Sequence, residues 1–376
     1  MSADLEADGA PDAVRRRTAV MAPRPGGSPL SRRHVGLTAI GVVVSAVAIW
    51  LSVRSVNLGE VGRLLVDASR GPVLAFLLVL ATQTIIRAAR WSILLPRRHG
   101  RRIPILRTLP PLLVGYLANS VLPARLGEPV RAVLVARRED LPVASAFGVV
   151  VLERLIDSAA VALLVLPAAW AVGAPSWIVQ IAAVCAAAAS AFLLVLSFAG
   201  LAGPVRLVDC LANAVSRAGV RPAMVRLVGH LREFASGAGT ADRRPLVLVA
   251  ACLSLVAWTM DATLVWLAAL SIGVMLDPAQ AILIAGVGVF ATMIPAAPGY
   301  VGTYELAASA TAVALGIERE WALAIAVLVH ALALLPMAAA GAISVLVLQR
   351  AGSRGSNIAG AARAGGERSA SAGMRG

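Results

Sequence analysis

Leu122-Pro123-Ala124-Arg125-Leu126-Gly127-Glu128 interrupts an apolar stretch at 105–137, and Pro295-Ala296-Ala297-Pro298-Gly299-Tyr300-Val301-Gly302 interrupts another at 279–317. Proline lacks an amide hydrogen and disfavours helix in the residue before it, so neither stretch can be one straight helix. In hydrocarbon such breaks survive only where protein or a water-filled cavity satisfies the freed backbone groups. Each stretch is therefore predicted to be a re-entrant helix–break–helix hairpin. Two short spans apiece is the alternative, and it has the same topological parity.

The surroundings of these breaks are what place them in a membrane. Uninterrupted apolar runs at 35–53, 72–95, 143–172, 177–199, 245–272 and 321–349 are each long enough to cross ~30 Å of hydrocarbon. The chain of 376 residues is 59% hydrophobic and 14% charged, with mean hydropathy +0.82. A soluble domain carries roughly a quarter charged residues. The expected fold class is all-α: a polytopic membrane helix bundle of about six full spans plus the two broken hairpins.

The net charge of +14 is not a nucleic-acid signature, because the basic residues sit between apolar blocks and in the tails. All 34 basic residues are arginine. With the N-terminus in the cytoplasm, the inside segments 1–34, 96–107, 131–138, 203–244 and 350–376 hold 26 arginines, and the outside segments hold 4. The remainder are Arg87, Arg90, Arg125 and Arg154, all at membrane depth. By the positive-inside rule both termini are expected in the cytoplasm. The Arg clusters before residue 35 and the missing cleavage site make 35–53 an uncleaved first span. Residues 1–34 and 350–376 read as unstructured basic tails. The 203–244 loop is basic and has Val208, Leu211, Val215, Val225, Val228 and Leu231 at helical spacing. It reads either as an interfacial amphipathic helix pair or as a simple connection packed on the bundle.

Three full spans separate the broken segments, so the hairpins enter from opposite faces. Each is followed by a charged corner, Arg138-Glu139-Asp140 or Glu318-Arg319-Glu320, and then by a long span. This arrangement points to an inverted repeat with a site at the membrane midplane.

Ionisable groups at that depth are costly and so become candidates for function. Glu153, Arg154 and Asp157 lie roughly 15–21 Å from the cytoplasmic end of their span at ~1.5 Å per residue. They form either a polar cavity wall or an internally paired structural cluster. Asp261 has no partner nearby in sequence and is expected to pair with an Arg from another helix. In the first hairpin, Asn119, Arg125, Gly127, Glu128 and Arg131 are candidates. A half-helix starting near Gly127 would aim amides and a positive dipole end at a phosphate, with Arg125 adding a guanidinium. First-turn dipole complementarity is the simpler role for Glu128, and snorkelling the simpler one for Arg131. In the second hairpin, Pro298, Gly299, Gly302, Tyr304 and Glu305 are candidates, and Gly302-x-x-Glu305 also fits a helix cap. Arg87 and Arg90 are expected to snorkel or to touch headgroups, and His330 to be a hydrogen-bonded core histidine. Cys185, Cys210 and Cys252 have no metal or redox spacing. Walker, zinc-hydrolase, Cys-x-x-Cys and nucleophile-elbow patterns are absent, so no metal, cofactor or catalytic residue is assigned.

The stretches Gly115–Glu128, Glu153-Arg154-Leu155-Ile156-Asp157 and Pro295–Glu305 resemble the signatures of the lysylphosphatidylglycerol synthase transmembrane-region family, also called flippase-like membrane proteins. The resemblance covers roughly 35–349, and Tyr300 stands where many members carry a second Gly. In full-length synthases this region is the flippase half. A separate domain transfers an amino acid from tRNA to phosphatidylglycerol, and nothing in this chain resembles that domain. Some stand-alone members are linked with polyprenyl-phosphate sugar pathways. The resemblance thus implies a plasma-membrane translocator of a phospholipid or a lipid-linked sugar. A membrane-embedded transferase, or a non-catalytic partner of a cell-envelope glycosyltransferase, is the competing expectation.

Overall fold

The computed structural model describes residues 32–97, 100–122, 125–180, 183–184, 187, 229–230, 233–234, 244–292 and 296–373. Its long elements are all helices. In chain order they are α1 (Arg32–Val53), α2 (Leu58–Val66), α3 (Arg70–Leu94), α4 (Ile105–Val121), α5 (Gly127–Glu139), α6 (Val143–Ala171), α7 (Arg244–Ser271), α8 (Pro278–Ala291), a 3-10 turn (Pro298–Tyr300), α9 (Thr303–Ala314) and α10 (Arg319–Gly373). Among the described residues, three segments, Arg70–Leu94, Pro245–Ser271 and Arg319–Arg350, are helices long and apolar enough to cross a membrane. A fourth is formed if the bent pair α1–α2 counts as one span, with its two parts at 89°. That bend follows from Asn57, whose side chain accepts from the amides of Gly59 and Glu60 at 3.0 and 3.3 Å and so starts a new helix. The 29-residue α6 is long enough to span but carries Glu153, Arg154 and Asp157.

Most of the 177–199 run, the 203–244 loop, Cys185, Cys210 and residues 1–31 lie outside the described residues. The last helix runs past the apolar block at 321–349 to Gly373, into the stretch read above as an unstructured tail. That stretch has no proline, and extending an existing helix needs no new nucleus.

Both interrupted stretches are helix–break–helix hairpins. In the first, Asn119 of α4 faces Gly127 of α5, and Gly115 faces Arg131, so the arms run antiparallel. In the second, Gly288 of α8 lies against the Tyr304 ring of α9, while Gln280 donates to the Leu315 carbonyl at the far end. The arms have 17, 13, 14 and 12 residues. At 1.5 Å per residue these are roughly 26, 20, 21 and 18 Å, each short of the hydrocarbon thickness. Pro104, Pro142 and Pro278 mark helix starts, and Asp140 in the left-handed region ends α5 at the predicted charged corner.

The centre of the bundle is α3 packed along α7. Around it α4 packs on α3 and α8 on α7, and the hairpin arms pair as α4–α5 and α8–α9. The helix after each hairpin returns onto it, α6 on α5 and α10 on α9, and also reaches across to the other hairpin, α6 to α8 and α10 to α4. Small residues permit these crossings. A β-carbon on Gly286 would lie 2.5 Å from Val165 of α6, and one on Gly341 would lie 2.5 Å from the Leu113 carbonyl of α4.

Candidate functional site

The two chain breaks meet inside the bundle. Leu122 ends α4 and Thr292 ends α8, leaving carbonyls without helical partners. Arg125 answers one of these ends: its Nε donates to the Thr292 carbonyl at 2.9 Å, and its Nη2 donates to the Thr292 hydroxyl. A cation is also the right charge for the negative end of the α8 dipole. The guanidinium lies 5.6 Å from the centre of the Tyr300 ring. One side chain thus links the tip of the first hairpin to both sides of the second break.

Each hairpin is closed by its own residues. The Gly127 amide donates to Asn119 Oδ1 at 2.9 Å, and a β-carbon on Gly127 would sit 2.0 Å from the Gly115 carbonyl oxygen. The left-handed residue of this turn is Arg125 (φ 55°), so Gly127 is required for close approach and not for its φ. In the second hairpin Gly299, Tyr300 and Gly302 all have positive φ, and Pro298 opens the 3-10 turn. The Gly302 amide donates to Glu305 Oε2 at 2.7 Å, and Glu305 Oε1 lies 2.5 Å from His330 Nδ1. The capping role expected of Glu305 and the hydrogen-bonded role expected of His330 therefore meet on one carboxylate, one on each oxygen. The Tyr304 ring lies against the same imidazole, tilted by 46° at 4.8 Å between ring centres.

Between the hairpins lies a cavity of about 280 Å³. Its lining is mostly apolar, from Leu80, Leu264, Val289, Leu334 and Met337 among others, and Gln83, Thr84 and Arg87 of α3, Asp261 of α7, Tyr116, Asn119 and Ser120 of α4, Thr292, Tyr300 and Tyr304 of the second hairpin, and His330 of α10 place polar groups on it. Asp261 has the predicted cross-helix partner: Arg87 Nη2 lies 2.6 Å from its Oδ2. The Arg87 guanidinium rests 5.4 Å from the Trp258 ring centre.

Beside the cavity is an ionic network with a buried centre and an exposed edge at Arg154 and Glu128. Arg90 of α3 pairs with both Glu153 and Asp157 of α6 and also donates to Ser254 of α7. Arg131 of α5 reaches Glu128 at 2.5 Å and Glu153 at 2.8 Å, with its guanidinium over Trp91. Arg154 lies 3.4 Å from Asp157 and 3.9 Å from Glu128, and Trp258 Nε1 donates to Asp157 at 3.2 Å. Three guanidinium groups face three carboxylates, so the network is formally neutral. The Arg90 side chain is 0% exposed and that of Arg131 is 3% exposed. Neither snorkels, because partners on other helices hold them inside. This is the internally paired alternative for Glu153, Arg154 and Asp157, enlarged by arginines that sequence spacing alone did not connect to them.

The structure thus divides the predicted site residues. Asn119, Asp261 and Tyr304 line the cavity; Arg125, Gly127, Pro298, Gly299, Gly302 and Glu305 shape the breaks that bound it; Glu128, Arg131, Glu153, Arg154 and Asp157 form the network beside it. Gln83, Tyr116, Ser120 and Thr292 were not singled out from sequence, because single polar residues in apolar helices show no local pattern. Arg87 was noted there without its partner.

Residues 38–341 match the family described as lysylphosphatidylglycerol synthase TM region. A curated relative, glycosyltransferase AglD from Haloferax volcanii, is 27% identical over 306 residues, covering 74% of this chain and 49% of the relative. The chain thus spans about half the length of that relative. A match over most of its length, taking in both broken hairpins, makes this chain a member of the lysylphosphatidylglycerol synthase transmembrane-region family.

Proposed function

We propose that the protein translocates a phospholipid or a polyprenyl-phosphate-linked lipid, its anionic headgroup occupying the cavity between the two hairpins. The observation that carries this reading is that both chain breaks and an arginine–aspartate pair border one otherwise apolar cavity inside a membrane bundle. Backbone breaks and an ion pair at that depth have their usual use in a substrate path. Family membership supports a lipid context.

The packing supports an inverted repeat of α3–α6 and α7–α10. Exchanging the two sets turns each packed pair among them into another packed pair: α4–α10 becomes α8–α6, and α3–α6 becomes α7–α10. The close crossings at Gly286 (α8 on α6) and Gly341 (α10 on α4) fall on such an exchanged pair of helix contacts. Two such halves suit alternating access to a site between them.

The reading is tested by reconstituting the purified protein into liposomes with fluorescent phospholipid or polyprenyl-phosphate analogues. Wild type should move at least one class faster than empty liposomes. Ala333→Trp, which fills the cavity from α10, should return the rate to that baseline while eluting as a folded protein. A folded Ala333→Trp protein with full activity would place the path elsewhere.

The name of the curated relative favours a second reading, a membrane partner or transferase acting with a glycosyltransferase on a lipid-linked sugar. Lipid donor turnover in detergent, without movement in liposomes, is the result that would select it.

The orientation proposed with this function puts both termini and the 203–244 loop in the cytoplasm of a plasma-membrane protein. Reporter fusions after Gly173 and after Arg350 should then report opposite compartments. The same compartment for both would overturn the arrangement.

A further inference from the structure

We propose that Arg87 is the residue that receives the substrate's phosphate, and that Asp261 is a place-holding anion that the phosphate displaces. This rests on the translocator reading above and assigns the chemistry of its site. Among the described residues lining the cavity, Arg87 is the cation. Its side chain and that of Asp261 are 14% and 20% exposed, whereas Arg90, one turn further along α3, is 0% exposed. The same helix therefore presents one arginine to the cavity and seals the next among carboxylates. The other anion-receiving candidates are engaged. Arg125 uses Nε and Nη2 on Thr292, and the first amide of α5 is taken by Asn119, with the Glu128 carboxylate in the same turn.

A carboxylate and a phosphate present similar paired oxygens to a guanidinium fork, so one can replace the other on Arg87. Trp258 holds the guanidinium during the exchange. Asn119, Tyr300 and Tyr304, on the hairpin walls, can donate to the remaining phosphate oxygens. The pair also ties α3 to α7, the central contact of the bundle. Displacing Asp261 would remove that tie when substrate enters, so the substrate's charge is what loosens the two halves.

The test uses the full chain purified in detergent, with dihexanoyl phosphatidic acid as the lipid-phosphate probe and inorganic phosphate in a separate arm. Asp261→Asn keeps the size and one acceptor but removes the competing charge. It should bind the lipid probe about tenfold tighter than wild type, the factor that ~1.4 kcal/mol of released pairing corresponds to. Without probe, its unfolding temperature should fall, and the probe should raise it more than in wild type. Arg87→Lys should bind more weakly, and Arg87→Gln should lose binding. Should Arg87→Gln fail to fold, Arg87→Lys with Asp261→Asn decides the matter. A folded Asp261→Asn protein with unchanged or weaker affinity would overturn the exchange, as would wild-type binding by a folded Arg87→Gln protein. Equal affinity for inorganic phosphate would overturn the lipid assignment. If the binding pattern holds but liposomes show no movement, the translocator reading fails and the anion site stands. Movement with no gain in Asp261→Asn has the opposite meaning.

Discussion

Glu153→Leu is expected to yield a protein that inserts but unfolds at a much lower temperature than wild type. Glu153 accepts from Arg90 through one oxygen and from Arg131 through the other, and both arginines are inside the bundle. Removing one partner from a buried ion pair strands its counter-charge, at a cost of about 3–5 kcal/mol. Here two guanidinium groups lose a ligand at once. Glu153→Gln keeps one acceptor and should lie between Leu and wild type. Arg90→Met combined with Glu153→Leu restores equal numbers of cations and anions, and should recover part of the loss. Thermal unfolding in detergent measures all four proteins. A Glu153→Leu protein as stable as wild type would show that water already solvates these charges.

Gly127→Ala is expected to disable the first hairpin. The added methyl would meet the Gly115 carbonyl oxygen at 2.0 Å and Asn119 Oδ1 at 2.5 Å. Both neighbours are fixed, one as backbone and the other by its bond to the Gly127 amide. Forcing the arms apart should cost about 1–3 kcal/mol, as overpacking does, and break that bond. The larger effect is on function, because the displaced break carries Arg125 away from Thr292. Lipid movement should fall towards that of empty liposomes. Gly62→Ala in α2 meets nothing within 4 Å and should leave stability unchanged or slightly raised. Wild-type stability and transport in Gly127→Ala would show that the arms need not approach so closely.

Much of this arrangement was legible because its causes are local. Prolines and glycines announce where helices stop, and the Gly302-x-x-Glu305 spacing announces a cap that the structure contains. Asp261 in an apolar helix demanded a cation, and chemistry alone named Arg as its class. What could not be read depends on meetings between distant segments. Arg90 lies 63 residues from Glu153, and its distance from the helix end suggested snorkelling until the partner was known. Arg125 read as a free guanidinium because its partner, Thr292, is 167 residues away. The left-handed position in the first break also fell on Arg125, where the bonds to Thr292 hold it, although Gly127 was the residue built for such a backbone. The bend after Val53 had a local signal in Asn57, but an apolar run long enough to span obscured it.

The three charges on α6 also bear on how the protein is made. Each would cost ~2.5–3.5 kcal/mol at the centre of a helix released alone into lipid. In the finished protein Glu153 and Asp157 are paired by Arg90 of α3 and Arg131 of α5 as well as by Arg154 of α6 itself. Arg90 and Arg131 precede α6 in the chain, so they have already been synthesised when its carboxylates emerge from the ribosome. Biogenesis of this segment thus takes the form of docking: helices already made carry the counter-charges that lower the cost of releasing α6 into lipid.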